Sequence, residues 1–280
     1  MNGWLIYDHE GAVRNRWFID QLLYYAGVKG EILRYIPAEE IRFGVKNGQV
    51  FVEHGDDRLP DYAIVRTINP LLSSALEKVG VHVYNNAHVS EIANDKRRTQ
   101  ALCAELHIPT PDTLFLDKRC FDPQAYIYPA ILKSPDGHGG SEVFYVENVK
   151  SALNAVEKLK TNSFLLQEVV DKGRDVRMYM LGGKLLCAVE RTSETDFRSN
   201  FSLGGTCKLF MPTSEMLHYA QTIAGDLDAA FIGVDFLFRN GKPLLGEIED
   251  VVGARMVYKL TRIQTHASIL DYIFNKERSM

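Results

Sequence analysis

The hydrophobic and polar positions of this chain change period as they are followed from the N-terminus. Trp4 to Tyr7 is an unbroken apolar run of strand length. From Arg16 to Tyr25 the apolar residues Phe18, Leu22, Leu23 and Tyr25 recur at helical spacing, and Gly27 stops the segment. Glu31 to Ile36 reads as a strand, and Gln49 to Glu53 as one strand of a small hairpin after Asn47-Gly48. Tyr62 to Arg66 is a strand, Pro70 to Val79 a helix closed by Gly80, and Val81 to Tyr84 a strand. Strands that alternate with helices in this way predict an open α/β layer.

Beyond it the pattern predicts two α+β lobes. Asn94 or Asp95 can cap a helix that Leu102 and Leu106 continue, and Pro109 and Pro111 forbid its extension past His107. Ala130 to Lys133 and Val143 to Val146 are strands joined by a glycine-rich loop, followed by a helix (Val149 to Leu159) and a strand (Phe164 to Val169). Residues 175–250 read as mostly antiparallel strands interrupted by a helix from Ser214 to Ala229, and residues 257–273 as one closing helix. The expected division is an α/β layer over 1–90, a small lobe over 91–166 and a larger lobe over 167–280.

The last hairpin carries the most chemistry. Val234 to Phe238 and Pro243 to Glu249 are strands about the turn Asn240-Gly241, so Asp235, Glu247 and Glu249 fall within an apolar hairpin. Carboxylates there call for a cation, and oxygen ligands without nearby His or Cys suit magnesium, which usually also binds substrate phosphates. Register decides whether they meet. A two-residue loop pairs Asp235 with Gly246 and turns Glu247 to the opposite face. A three-residue loop, Asn240 to Lys242, pairs Asp235 with Glu247 and leaves Glu249 on the same face. The three-residue loop is therefore expected. A solvated edge hairpin is the plainer alternative, weakened by the buried character of Val234, Phe236 and Ile248.

Composition narrows the class. The net charge of −4 gives no global attraction to nucleic acid or an acidic membrane. The four cysteines, Cys103, Cys120, Cys187 and Cys207, form no CxxC pair, which argues against zinc and for a reduced, cytoplasmic setting. No apolar run is long enough to span a bilayer, and the first residues read as a strand and not as a signal peptide. No GxGxxG follows the first strand, which disfavours a nucleotide-dependent oxidoreductase.

Other candidates are weaker one by one. Gly137, Gly139 and Gly140 allow a loop whose amides bind an anion, though glycines alone suit an ordinary hairpin tip equally well; Lys133 just before them tilts the reading toward phosphate. Lys96 begins a helix, where amides and dipole favour anions, but a solvated basic turn is the better reading of it alone. Arg177, Arg191 and Arg198, with Asn200 close by, recur along strands that should line one groove, or are ordinary surface residues. Backbone groups at the end of the strand carrying Gln167-Glu168 can read an adenine edge, and Asp175 can hold ribose hydroxyls, but neither follows from the residues alone.

Taken in order, these segments resemble the ATP-grasp superfamily, and within it the RimK-like carboxylate–amine ligases. The likeness spans roughly residues 85–255. It is carried by Asn94 to Thr99 with Ile108 to Pro111, by Ile131 to Ser134 with Gly137 to Gly140, and by Gln167-Glu168 with Asp175 to Arg177. Glu190-Arg191 with Phe197 to Asn200 and Gly204-Gly205, and Gly233 to Asp235 with Glu247 to Glu249, complete it. The resemblance implies α/β and α+β lobes in a three-lobed ATP-grasp fold, with an N-terminal open α/β (pre-ATP-grasp) layer and ATP held between the other two lobes. It implies that Lys96 and Lys133 contact phosphates, that Gly139 and Gly140 cover them, that the backbone of Glu168 and Val170 meets adenine, and that Asp175 meets ribose. It assigns Asp235, Glu247 and Glu249 to one or two Mg2+ ions, with Mn2+ as a substitute, and places Arg198 and Asn200 near the phosphates and metal. Arg177 and Arg191 would hold the acceptor carboxylate or the transferred phosphoryl group. Glu249 departs from the Asn usual at that position.

The implied activity is an ATP-dependent ligase that makes an amide through an acyl phosphate, acting on small-molecule or peptide carboxylates and amines. No nucleic acid or membrane partner is implied, and a homo-oligomer is allowed. The alternatives are an ATP-grasp phosphotransferase and a non-catalytic ATP-binding protein.

Overall fold

In the computed structural model, which describes residues 1–137, 142–193 and 205–280, the N-terminal layer is a parallel sheet. Its elements are β1 (Asn2–Tyr7), α1 (His9–Arg14), α2 (Arg16–Val28), β2 (Ile32–Pro37), β3 (Arg42–Lys46), β4 (Gln49–Glu53), β5 (Tyr62–Val65), α3 (Pro70–Lys78) and β6 (His82–Tyr84). The strands run β2-β1-β5-β6, all parallel, while β3 and β4 form a separate hairpin. Both sheet faces are covered, and for that reason β1 reads as an unbroken apolar run. Trp4 and Ile6 pack with Ile36, Val65 and Leu76 on one side. Leu5 and Tyr7 pack with Leu22 of α2 and with C-terminal residues Leu270 and Phe274 on the other. The short α1 has too few turns to show a period. Asp8 caps it, accepting from the Gly11 amide at 2.6 Å.

The middle of the chain contains α4 (Ala87–Ala93), α5 (Lys96–Glu105), β7 (Thr113–Asp117), β8 (Ala130–Lys133), β9 (Val143–Val146), α6 (Val149–Lys158) and β10 (Ser163–Glu168). The antiparallel sheet runs β7-β10-β8-β9, and α6 lies on it through Ala152, Ala155 and Val156. Asp95 is the cap of α5, accepting from the Arg97 amide at 2.9 Å. Two elements went unanticipated. β7 is an edge strand with Leu114 and Phe115 both half-exposed, so it lacks alternation. The helix α4 hides behind a polar start, where Asn86 accepts from the Val89 amide at 2.8 Å.

The last part contains β11 (Arg174–Leu181), β12 (Lys184–Thr192), β13 (Thr206–Phe210), α7 (Ser214–Asp226), β14 (Phe231–Arg239), β15 (Lys242–Glu249), α8 (Arg255–Leu260) and α9 (Thr265–Ser279). The antiparallel order is β13-β12-β11-β14-β15. One face packs under α7: Val176, Met178, Val234, Phe236 and Ile248 meet Met216, Ala220 and Ile223. Period-2 alternation then turns Asp175, Arg177 and Asp235 to the other face.

The expected single closing helix is two. Thr261 leaves the helix in an extended conformation, and its hydroxyl bonds back to the Val257 carbonyl at 2.7 Å while accepting the Ile263 amide at 3.0 Å. The second of the two, α9, returns to the N-terminal layer. Its Ile269, Leu270, Ile273 and Phe274 share a core with Leu5, Tyr7 and Tyr62, so the first and last parts of the chain are packed as one.

Candidate active site

The hairpin of β14 and β15 brings the three acids together by a different route from the one expected. Its loop has two residues: Arg239 pairs with Lys242, and Asn240 and Gly241 take φ of 52° and 77°, the positive pair of a type I′ turn. The ladder is regular as far as Phe236 opposite Leu245. It then shifts by one, so that Asp235 faces Glu247 and Gly233 faces Glu249. Gly246 is the extra residue of a β-bulge. A Cβ there would lie 3.0 Å from Leu237 Cγ and 3.3 Å from the Asp235 carbonyl oxygen, which explains the glycine. Ligand oxygens of Asp235, Glu247 and Glu249 lie within 4.8 Å of one another. Three hard oxygen donors at this spacing, with no His or Cys among them, fit Mg2+.

Cations from neighbouring strands hold these acids. Arg177 donates to both Asp235 oxygens at 2.7 and 2.6 Å and to Glu249 at 2.5 Å. Arg191 donates to Asp175 at 2.5 and 2.9 Å and to Asp235 at 2.7 Å. Lys96 lies 3.2 Å from Glu247 and donates to the Gly137 carbonyl at 2.5 Å, tying the first turn of α5 to the start of the glycine loop. Burial works against the charge of Asp235, but Arg177 and Arg191 more than reverse this and hold its carboxyl at about 2. Glu249 is shifted the other way, upward, by burial and by the adjacent Asp235 and Glu247, despite Arg177.

A cleft of about 180 Å³ opens beside the acids, between the β8–β10 sheet and the β11–β15 sheet. Ile131, Val143, Val170 and Leu237 give it apolar walls suited to a flat base; Lys96, Lys133 and Arg191 give it positive charge. Lys133 is buried and donates to Gln167 Oε1 at 2.9 Å, and burial brings its ammonium down to about 8. Glu168 and Val170 lie on the cleft wall. The Glu168 side chain is already engaged, accepting the Asp112 amide at 2.8 Å and pairing with Arg239. Asp175 also lines the cleft with its carboxylate on Arg191. Of the sequence candidates, Gly139, Gly140, Arg198 and Asn200 lie outside the described residues.

A second cavity, of about 470 Å³, lies on the other side of the acids. Its walls come from the N-terminal layer and from the segment after β15, and it shares Arg191, Glu247 and Glu249 with the first. Arg14, Arg66 and Arg255 line it. Sequence reasoning missed Arg14 and Arg255, which are single basic residues at helix ends with no pattern to mark them. It also missed the role of Asp250, which is buried beneath the cavity. Its carboxylate accepts from Asn85 at 2.8 Å and from Asn94 at 3.2 Å, and burial raises its pKa. Asn85 also accepts the Ala230 and Phe231 amides, joining the N-terminal layer to β14.

Residues 93–273 match the family model of the RimK-like ATP-grasp domain. A probable alpha-L-glutamate ligase of Maridesulfovibrio salexigens is 29% identical over 206 residues, covering 70% of this chain and 68% of that protein. Among solved structures, a RimK domain ATP-grasp protein of Sphaerobacter thermophilus superposes with a TM-score of 0.73 at 19% identity, over 97% of this chain and 99% of its own. The D-alanine–D-alanine ligase of Bacillus anthracis, complexed with ATP, gives 0.73 at 14% identity over 100% and 98%. These two show the fold. No helix among the described residues is long and apolar enough to cross a membrane.

Proposed function

The chain belongs to the RimK-like ATP-grasp family, and from that premise we propose that it is an ATP-dependent ligase joining a carboxylate to an amine. The carrying observation is that Arg191, Glu247 and Glu249 form a wall common to two cavities. One cavity has the apolar slot and lysines that suit ATP, and the other has room and positive charge for a carboxylate substrate. Phosphoryl transfer would take place where they meet.

In this reading the adenine lies against Ile131, Val170 and Leu237, with backbone groups of Glu168 and Val170 at its edge and Asp175 toward the ribose. Lys96 and Lys133 take the phosphates. Asp235, Glu247 and Glu249 would hold Mg2+, which when bound would supply positive charge to the phosphates. The substrate carboxylate oxygen attacks the γ-phosphorus while the bond to the β–γ bridging oxygen breaks and ADP leaves. The amine then attacks the acyl carbon, phosphate departs, and the amine nitrogen loses its proton. Arg177 and Arg191 orient Asp235 and offer positive charge to the transferring group. The work is positioning and electrostatics, so no nucleophilic side chain is needed. The lobes of this reading are residues 1–90, 91–166 and 167–280. Glutamate is the first substrate to try, since several relatives are named for it.

The test is ADP release from ATP and Mg2+ across a panel of carboxylates, each with and without amines, with products weighed by mass spectrometry. Amine-dependent turnover and an amide product are expected, and Glu247→Gln should abolish both. ADP release with a stable phosphorylated carboxylate, indifferent to amines, would make the protein a phosphotransferase instead.

A further inference from the structure

We propose that Arg14, Arg66 and Arg255 form an anion subsite in the second cavity that selects a carboxylate substrate bearing a second carboxylate. This rests on the ligase reading and adds to it the residues that set specificity. Arg14 ends α1, Arg66 follows β5, and Arg255 begins α8. Three elements distant in sequence thus deliver guanidinium groups to one cavity, across from the acids.

Their bonding leaves them open to a ligand. Among the described residues none of the three forms an ion pair, whereas Arg177 and Arg191 are each committed to two carboxylates. Arg66 is fixed in place: it donates to the Val252 carbonyl at 2.8 Å and lies over the Phe18 ring at 5.9 Å. Among the described residues Arg255 donates one hydrogen bond, of 3.4 Å, to the Arg14 carbonyl, so the other two arginines are neighbours.

The carboxylates in the same cavity answer this charge only through space, Arg14 acting on Asp8 and Arg66 on Asp250 without an ion pair. Asp8 is occupied by the Gly11 amide and the Thr67 hydroxyl, at 2.6 and 2.9 Å. Asp250 is occupied by Asn85 and Asn94. Glu247 and Glu249 face Lys96, Arg177 and the metal position. Three forked donors with no ion-paired carboxylate among the described residues, next to acids whose oxygens are already taken, match a planar anion brought by the substrate. The reacting carboxylate would lie at Arg191, on the wall shared with the nucleotide cleft, and the second carboxylate would lie at the N-terminal side.

Two isosteric pairs test this: N-acetyl-L-glutamate against N-acetyl-L-glutamine, and glutarate against its monoamide. Each pair keeps one carboxylate and differs in the charge of the other group, and none carries a free amine to occupy the amine position. Binding is measured by calorimetry on the full chain with Mg2+ and AMPPNP. The charged member of at least one pair should bind on the order of tenfold or more tightly. In the Arg14→Ala/Arg255→Ala variant that preference should fall to about twofold or less. The variant's affinity for AMPPNP reports that it is folded. The proposal is overturned if wild type prefers neither charged member, or if the preference survives in the variant. Failure of the ligase reading looks different, because wild type would then bind AMPPNP yet release no ADP with any carboxylate and amine.

Discussion

Replacing Arg177 with Met tests the charge logic of the site directly. Arg177 is buried and bridges Asp235 and Glu249 with contacts of 2.5 to 2.7 Å. A carboxyl held at about 2 instead of 3.8 represents on the order of 2–3 kcal/mol of stability in the ionised state, and Arg177 shares that with Arg191. Removing one partner of a buried pair costs about 3–5 kcal/mol because the other charge is left behind. Arg191 still holds Asp235 in the variant, so the low end applies. At about 2–4 °C per kcal/mol for a chain of this size, the melting temperature in EDTA should fall by roughly 6–12 °C.

The same reasoning fixes two further outcomes for this variant. With the guanidinium gone, Mg2+ meets less competition for the carboxylates, and an ion at 100 times its dissociation constant returns about 2.7 kcal/mol. Most of the loss should therefore be recovered in Mg2+. Asp235, with its folded pKa depressed, contributes stability above the unfolded value near 4, and this is lost only as pH falls through about 2. The variant lacks part of that contribution and carries a Glu249 pushed further upward, whose ionised form costs stability. The gap between wild type and variant should thus narrow as pH falls from 7 toward 4. A thermal melt followed by circular dichroism in EDTA and in Mg2+, at both pH values, reads all three. An equal loss under every condition would mean that Arg177 acts by packing alone.

Other sites give sharper single measurements. Glu249→Asn, which removes one ligand charge, should keep ADP release but raise the Mg2+ concentration for half-maximal rate roughly tenfold, since ligand charge tunes affinity; a Mg2+ titration checks it. Lys133→Met should weaken AMPPNP binding by on the order of tenfold or more at pH 7. With Lys133 at about 8, wild-type affinity should also weaken from pH 7 to 9, a trend the variant flattens, as calorimetry at each pH would show. The depressed ammonium has the opposite effect on the free protein: stability is lost as pH falls through about 8 and is full above 10.5. Asn85→Ala would unpair the Ala230 and Phe231 amides and take one of its donors from Asp250, contacts of 2.8 to 3.0 Å. At about 1–3 kcal/mol per stranded buried group, it should cost at least about 2 kcal/mol in urea unfolding.

Much of the fold could be read from periods. The alternation in β11 and β14 put Val176, Met178, Val234 and Phe236 under α7 and Asp175, Arg177 and Asp235 on the cleft side, because a pleated strand leaves no other arrangement. The ends of elements were less legible where side chains replace backbone partners. The split between α8 and α9 has no Gly or Pro to announce it; the Thr261 hydroxyl does the work, and threonine is common inside helices as well. The second cavity was least legible. It depends on how α1, the residues after β5 and α8 are packed together, and single arginines at helix ends carry no sign of that.

The register of the acidic hairpin shows where this kind of inference holds and where it fails. Asp235 and Glu247 share a face only if one strand has an extra residue relative to a two-residue turn. That requirement comes from the pleat and is independent of where the residue is placed. Two placements satisfy it: a third loop residue, or a bulge inside the ladder. The sequence carried evidence on both sides. Asn240-Gly241 strongly favours a two-residue type I′ turn, and their positive φ values agree. Gly246, alone inside an apolar strand immediately before Glu247, is the mark of a bulge. Together they select the second placement, so the pairing of the acids follows from the pleat and its location from two glycines. The bulge also keeps the turn tight. Asn240 and Gly241 donate to the Asp171 carboxylate at 3.3 Å, and Asp171 lines the cleft beside the acids. A third loop residue would move those amides. Holding the extra residue within the strand therefore leaves the far end of the hairpin attached to the cleft wall while Glu247 is turned toward Asp235.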